Sequence, residues 1–341
     1  MKTVSRSPHL FLCVAVFVFS PFSSVERGSQ RHCTARRVSS RARPWSTHLE
    51  APPPWAHNHC VLPVPLIGSF AFVFGLVIGS FLNVCILRIP GGKSIVLPAS
   101  ACPKCGKEIK AYDNIPVISW LILRGKCRNC KTKISAMYPL VEFLTGLLFL
   151  GSYLVFGFSF DTLKWCAFSA ILVVLVFTDA RERILPDVVN YTGFAIGLVL
   201  SLLTKPTDGT SLWIANKFFD FPPPVPVLSL IDALIGAAVG AGLLWLVSEA
   251  YFKLRGREGM GLGDVKMMLM VGAFLGAKRT LLTILAGSLL GSVLGIAIIA
   301  AKRKDSDYEL PFGTFLGAGA LIVVFFGTPV VNWYQSLLTG R

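Results

Sequence analysis

The chain has 341 residues, of which 53% are hydrophobic and only 15% charged, with a mean hydropathy of +0.64. A soluble domain carries about 25% charge, so this composition excludes an ordinary water-soluble fold and points to a membrane protein. A net charge of +15 would suit nucleic acid. The basic residues, however, sit in loops between apolar runs, which is the positive-inside pattern, and no nucleic-acid partner is expected.

Residues 1–62 differ from the rest. The first 60 hold eight Lys/Arg against Glu26 and Glu50, the run Pro52-Pro53-Pro54, and a single apolar stretch at 10–22. That stretch is too short to span but long enough for a signal-peptide core. Three readings stand: a cleaved presequence, a disordered arm, or upstream sequence translated from a misplaced start. The last is favoured because no pattern runs through the segment. All five histidines lie within the first 59 residues. If the longer part is the working protein, Ser-His and Cys-His catalysis and His-ligated metals are excluded.

Hydropathy predicts an all-α polytopic fold with about eight transmembrane helices, near 64–88, 136–156, 161–179, 187–204, 229–250, 264–277, 280–301 and 311–328. The organisation expected is a first helix at 63–89, a four-cysteine loop at 90–135, a membrane core at 136–328 and a tail at 329–341. Runs such as GAAVGAG (236–242) and AGSLLGSVLG (286–295) read as close helix packing. Loop 90–135 carries nine Lys/Arg against Glu108 and Asp113, so it is expected on the cytoplasmic side, facing anionic lipid headgroups. Three further basic loops agree with that topology. Lys278 and Arg279 fall on the opposite side and dissent.

Within the loop, Cys102 and Cys105 form one C-x-x-C pair, and Cys127 and Cys130 a second. Two such pairs about twenty residues apart predict a structural Zn²⁺ knuckle, with redox dithiols or free thiols as the alternatives. Cys85 and Cys166 lie in spans and read as small apolar residues.

Two acids stand where spans meet the basic side. Asp179 ends the third span, and Asp264, behind Gly261 and Gly263 in GMGLGD, opens the sixth. Loop charge alone puts them at one depth. Two carboxylates brought close share a proton, one acting as base on water and the other as acid on a carbonyl, and such a pair hydrolyses a peptide bond without His, metal or Ser. The glycines would supply φ > 0 and room for a substrate backbone. The plainer alternative makes Asp264 an N-cap and Asp179 a border residue. Asp187 reads as a first-turn helix acid, and Asp232 and Glu249 as interfacial. Glu142 is expected to contact the acid pair or the cysteine loop, and Lys266 to pair with an acid or with headgroups.

The stretches FGLVIGSFLNVCILRIP, CPKC and CRNC, DNIPVISWLILRGKC, ISAMYPLVEFLTGLLF, TDARERILPD, GMGLGDVKMM and LPFGTFLGAGAL resemble, in order, those of the bifunctional type IV prepilin leader peptidases. The resemblance runs from about residue 66 to 328. It implies an aspartic peptidase of the bacterial inner membrane, with Asp179 and Asp264 catalytic at the cytoplasmic face. Its substrates would be prepilins and type II secretion pseudopilins, cut after the Gly that ends a short basic leader. It further implies N-methylation of the new terminus with S-adenosylmethionine, for which Gly125 and Lys126 match loop positions the family associates with methylation. No glycine fingerprint marks a methyl-donor site independently. The rival is a proton-coupled membrane transporter with a zinc-binding regulatory loop, which should spread its acids along the membrane depth.

Overall fold

The computed structural model describes residues 64–218, 223–257, 259–302 and 311–339; the amino-terminal extension lies outside them. The described residues are helical, without strands. Among the described residues nine helices carry the fold: α1 (Val64–Arg88), a short α2 (Ile118–Ile122) in the cysteine loop, α3 (Met137–Phe156), α4 (Phe160–Glu182), α5 (Asp187–Ser201), α6 (Thr210–Phe218), α7 (Val225–Arg255), α8 (Leu262–Lys302) and α9 (Phe312–Thr339). Five of them (α1, α3, α4, α7 and α8) are long and apolar enough to cross a membrane. The helix α5 and the segment Phe312–Gly327 are apolar but shorter, and α9 continues through most of the expected tail. The chain is a multi-pass membrane protein.

The α8 segment is two helices, not one. It breaks at Gly276, where φ is 74° and ψ 176°. A Cβ placed on Gly240 of α7 would lie 2.5 Å from the Met268 carbonyl oxygen and 3.0 Å from Thr280 Cγ2; one on Gly236 would meet both Gly272 and Gly276. Residues 268 and 280 are therefore level with each other, and the chain folds back on itself at the break. The expected sixth and seventh spans are these two antiparallel arms.

A break in a membrane helix frees backbone groups that lipid cannot satisfy. The loop between α5 and α6 supplies their partners. Thr207 Oγ1 donates to the Phe274 carbonyl (3.4 Å), and Asp208 Oδ2 accepts from the Lys278 amide (2.7 Å). Lys278 Nζ reaches the Asp208 carbonyl, and buried Lys164 donates to Thr207 Oγ1 at 2.8 Å. The loop is held by Asp232, whose carboxylate accepts from the amides of Ser211, Gly209 and Asp208. Asp232 is thus a buried structural acid rather than an interfacial one, because a turn of backbone amides replaces water around it. Lys278 dissents from the loop-charge rule because it serves this same plug.

Elsewhere glycines let helices touch backbone to backbone. A Cβ on Gly75 or Gly79 of α1 would lie under 3 Å from the α3 backbone, and Gly319 of α9 meets Gly287 of α8 in the same way. Gly242, in the same small-residue run as Gly236 and Gly240, has nothing within 4 Å, so that run packs on one face only.

Gly276 combines a left-handed φ with a Cβ position 2.8 Å from the Asp208 carboxylate. Gly276→Ala should therefore destabilise the folded protein by about 1–3 kcal/mol, whereas Gly242→Ala should change little. Thermal unfolding in detergent compares the two.

Candidate active site

Asp179 lies in the last turn of α4. Arg183 ends that helix in the left-handed conformation (φ 55°), with its amide donating to the Asp179 carbonyl at 2.9 Å. This is an αL cap of the kind glycine usually makes. Asp264 is the third residue of α8, its amide donating to Gly261 O at 3.1 Å. Both acids are buried, 5% and 9% exposed.

They meet at Gly313, the second residue of α9. The place a Cβ would take on Gly313 is 3.1 Å from Asp179 Oδ2 and 3.1 Å from Asp264 Oδ1, so those two oxygens are separated by no more than twice that distance. Leu185, from the turn after α4, closes the same spot at 2.9 Å. Three helix ends converge here: the last turn of α4 and the first turns of α8 and α9. The first turn of α9 directs its Thr314 amide at Asp179, where the positive end of the helix dipole favours a carboxylate.

The two acids are held differently. Asp179 Oδ2 accepts from the Thr314 amide (2.6 Å) and the Thr314 hydroxyl (2.8 Å). No donor among the described residues reaches the Asp264 carboxylate. Gly313 and Thr314 were not singled out in the sequence. They stand in LPFGTFLGAGAL, and the only available signal was a Gly-Thr pair at the head of an apolar helix.

The remaining expected site residues take other places. Gly261 and Gly263 do not adopt positive φ. Gly263 is small because Leu185 Cβ lies 3.1 Å from where its own Cβ would be, and a Cβ on Gly261 would meet only ordinary contacts. The part of Gly263 is to let Leu185 pack on α8, since Asp264 already sits in helical backbone. Lys266 does not touch the acid pair. It forms an ion pair with both oxygens of Asp187 at 2.8 Å and lies over the Tyr191 ring, which joins α8 to the first turn of α5. Glu142 is buried in α3 and accepts from the Val117 amide at 2.7 Å; it contacts the cysteine loop, not the aspartates.

The four cysteines form one cluster. Their Sγ atoms all lie within 4.8 Å of one another, and Cys102 Sγ is 3.7 Å from Cys130 Sγ. Four thiolates at about 2.3 Å from a tetrahedral Zn²⁺ stand about 3.8 Å apart, so the donor set fits zinc. None is in a disulfide. The two knuckles repeat the same bonds. Cys102 N donates to Lys107 O and Cys127 N to Thr132 O, while Gly106 N donates to Cys102 O and Lys131 N to Cys127 O. Gly106 and Lys131 both have positive φ, and the isolated bridges Ala101–Glu108 and Lys126–Lys133 correspond. The Thr132 hydroxyl and amide beside Cys130 push its thiol down to about 6, and the Cys105 and Lys104 amides lower that of Cys102. These two environments favour thiolates, the form that binds metal, whereas burial and the three neighbouring sulfurs push the Cys105 thiol up to about 11. Asp113 and Arg128 brace the module with a bidentate pair.

Gly125 and Lys126 lie where α2 meets the second knuckle. Gly125 has φ +64° and no room for a Cβ beside Trp120, which would be 2.8 Å away. The Trp120 ring nitrogen donates to Ile134 O, and Ile134 N to Gly125 O. Packing and backbone conformation account for this glycine.

The chain is also similar to known proteins. Residues 73–156 match the model of the bacterial peptidase A24 N-terminal domain, and 166–296 that of the type IV leader peptidase family. A prepilin leader peptidase/N-methyltransferase of Aeromonas hydrophila is 34% identical over 79% of this chain and 93% of its own length. Proteins of the same name from Pseudomonas aeruginosa and Myxococcus xanthus are 36% and 38% identical, over 77% and 73% of this chain and 91% and 70% of theirs. No solved structure matches. With two family models matched in order and full-length relatives above 30% identity, the chain belongs to the type IV leader peptidase family.

Proposed function

We propose that this chain removes the short basic leader from type IV prepilins and type II secretion pseudopilins, cutting after the leader's final Gly on the cytoplasmic side of the bacterial inner membrane. It then N-methylates the new terminus. The observation that carries the peptidase reading is the meeting of the Asp179 and Asp264 carboxylates at Gly313. The names of the relatives support the substrate class and the methylation.

The chemistry follows from the pair. The two carboxylates hold one proton between them. Thr314 occupies Asp179 Oδ2 with two donors, which leaves Oδ1 to take a proton from water. The water oxygen bonds to the scissile carbonyl carbon while Asp264 donates to the carbonyl oxygen. Collapse breaks the C–N bond as one hydroxyl of the tetrahedral diol returns its proton to Asp264, and the proton taken by Asp179 passes to the leaving amine. The absent side chain at Gly313 leaves the substrate backbone space between the two acids.

Zn²⁺ held by Cys102, Cys105, Cys127 and Cys130 is structural in this reading, since four thiolates leave no position for water. S-adenosylmethionine would supply the methyl group. Gly125 and Lys126 form no donor cradle of their own, and the part assigned to them here is to shape the loop in which methylation takes place. Nothing in the comparisons favours the transporter. Asp232, the buried acid at the far end, is fully engaged by backbone amides, so it is not available to a proton relay.

Asp179→Asn and Asp264→Asn should each abolish leader removal with the protein still inserted, as read on a prepilin from the same cell; wild-type processing by either would end the dyad reading. Thr314→Val should slow processing by about tenfold or more and shift its pH profile, with Thr314→Ser restoring both. Purified protein should carry about one zinc per chain, lost in Cys102→Ser; a metal-free preparation that still methylates fully would refute the structural metal.

A further inference from the structure

The cysteine loop contains a segment at the wrong depth for an aqueous loop. Val117, the residue before α2, donates its amide to Glu142 Oε2 at 2.7 Å. Glu142 is the sixth residue of the spanning helix α3, which puts its Cα about 7–8 Å inside that helix at 1.5 Å per residue. A second ruler agrees. The Glu142 Cα packs on Gly79 of α1, nine residues before that helix ends at Arg88, a rise of about 13 Å. Side chains on a helix lean toward its N-terminus, which returns part of this depth. Even so, the Val117 amide is met within the first turns of the spanning pair rather than beyond their ends.

The backbone at this point is strained. Val117 has φ 60° and ψ −49°, a region β-branched residues rarely enter. Its amide is held by a buried carboxylate. The Ser119 hydroxyl fastens the same turn by donating to Tyr112 O and accepting from Ile115 N. The chain is forced through a sharp corner at membrane depth and then makes the one and a half turns of α2.

The side chains that this corner presents are apolar and uncovered. Ile118, Leu121 and Ile122 are 53%, 60% and 72% exposed, and Ile115 is 46% exposed. Trp120 faces inward, onto Gly125 and Ile134. Exposed Arg124 and Lys126 follow directly on the chain. Large apolar side chains on one side, cations at the next turn and a tether inside a spanning helix are together the pattern of an interfacial element lying in a leaflet. In water this patch would be a liability; in acyl chains it is at home. Irregular backbone at membrane depth is tolerated where protein buries its polar groups, which Glu142 and Ser119 do.

We propose that residues 115–122 re-enter the membrane, with Ile118, Leu121 and Ile122 inserted among the acyl chains of the leaflet on the cysteine-loop side, and that this insertion holds the four-cysteine module flat against the headgroups. The occupant is phospholipid. Arg124 and Lys126 favour anionic headgroups over neutral ones. This reading rests on the depth of Val117 and not on the peptidase assignment.

The test uses the full chain in nanodiscs of phosphatidylethanolamine and phosphatidylglycerol. The photoreactive residue p-benzoylphenylalanine is placed in turn at positions 118, 121 and 122. Position 70, on the exposed face of α1, gives the fully inserted level, and position 108, in the first knuckle, gives the aqueous level. After irradiation, intact mass reports lipid adducts. Adducts at 121 and 122 several-fold above 108 and near the level at 70 are expected, with a marked loss at 122 when Glu142→Gln weakens the tether. Adducts no higher than at 108 would overturn the proposal. So would capture of an added prepilin, or of a second copy of the chain, in place of lipid.

Discussion

The structure depends on bringing two buried carboxylates together where three helix ends meet. Two buried carboxylates repel and each loses hydration, so the fold must hold them in position against both costs. Three helix ends do this. The last turn of α4 carries Asp179, the first turn of α8 carries Asp264, and the first turn of α9 inserts between them with a residue that has no side chain. The Thr314 amide and hydroxyl, at the start of α9, fix Asp179. A Cβ at Gly313 would occupy the space between the oxygens. The position is defined as much by an absent methyl group as by any contact.

The far end of the molecule contributes to the same result. The first arm of α8 is short, and its upper end is a broken helix that lipid alone would not tolerate. The Thr207-Asp208-Gly209 turn caps the break, and Asp232 and Lys164 in turn secure that turn. Fixing Gly276 fixes the register of the first arm against α7 through Gly236, Gly240 and Gly272, and that register determines where Asp264 stands. Two buried polar assemblies thus sit at opposite ends of one arm. One of them keeps a carboxylate that no donor reaches among the described residues. The other is satisfied and serves as an anchor.

Much of this was legible in the chain. Apolar run lengths placed the helices. Lys278 and Arg279 marked the point where α8 folds back, because charges interrupt hydropathy there. The cysteine spacing gave the cluster, since each C-x-x-C turn is local and its geometry is encoded in a few residues. Asp179 and Asp264 were visible as acids beside apolar runs on the basic side. What could not be read is what comes from distant segments. Gly313 and Thr314 look like ordinary helix-start residues until α9 is set against α4. Gly261 and Gly263 were assigned to backbone freedom, yet Gly263 is needed for the packing of Leu185, a contact between segments. Lys266 was open to several partners, and only the fold selects Asp187. Glu142 was flagged for its position, but its partner is a strained amide that no sequence pattern announces.

Chain parity explains why the cysteine module and the carboxylate pair share one side, independently of loop charge. The module joins α1 to α3, so α3 starts on its side and α4 returns to it with Asp179 at its end. Helix α5 departs and α7 returns, so α8 starts there with Asp264; its second arm returns again, so α9 starts there with Gly313. The fold-back at Gly276 is indispensable to this order. A straight α8 would deliver the start of α9 to the opposite face and leave the acids without Thr314. On the proposed reading, a new amino terminus released at the acids would emerge on the side where the four-cysteine module lies. Cleavage and modification would then follow one another without the substrate's apolar helix leaving the membrane.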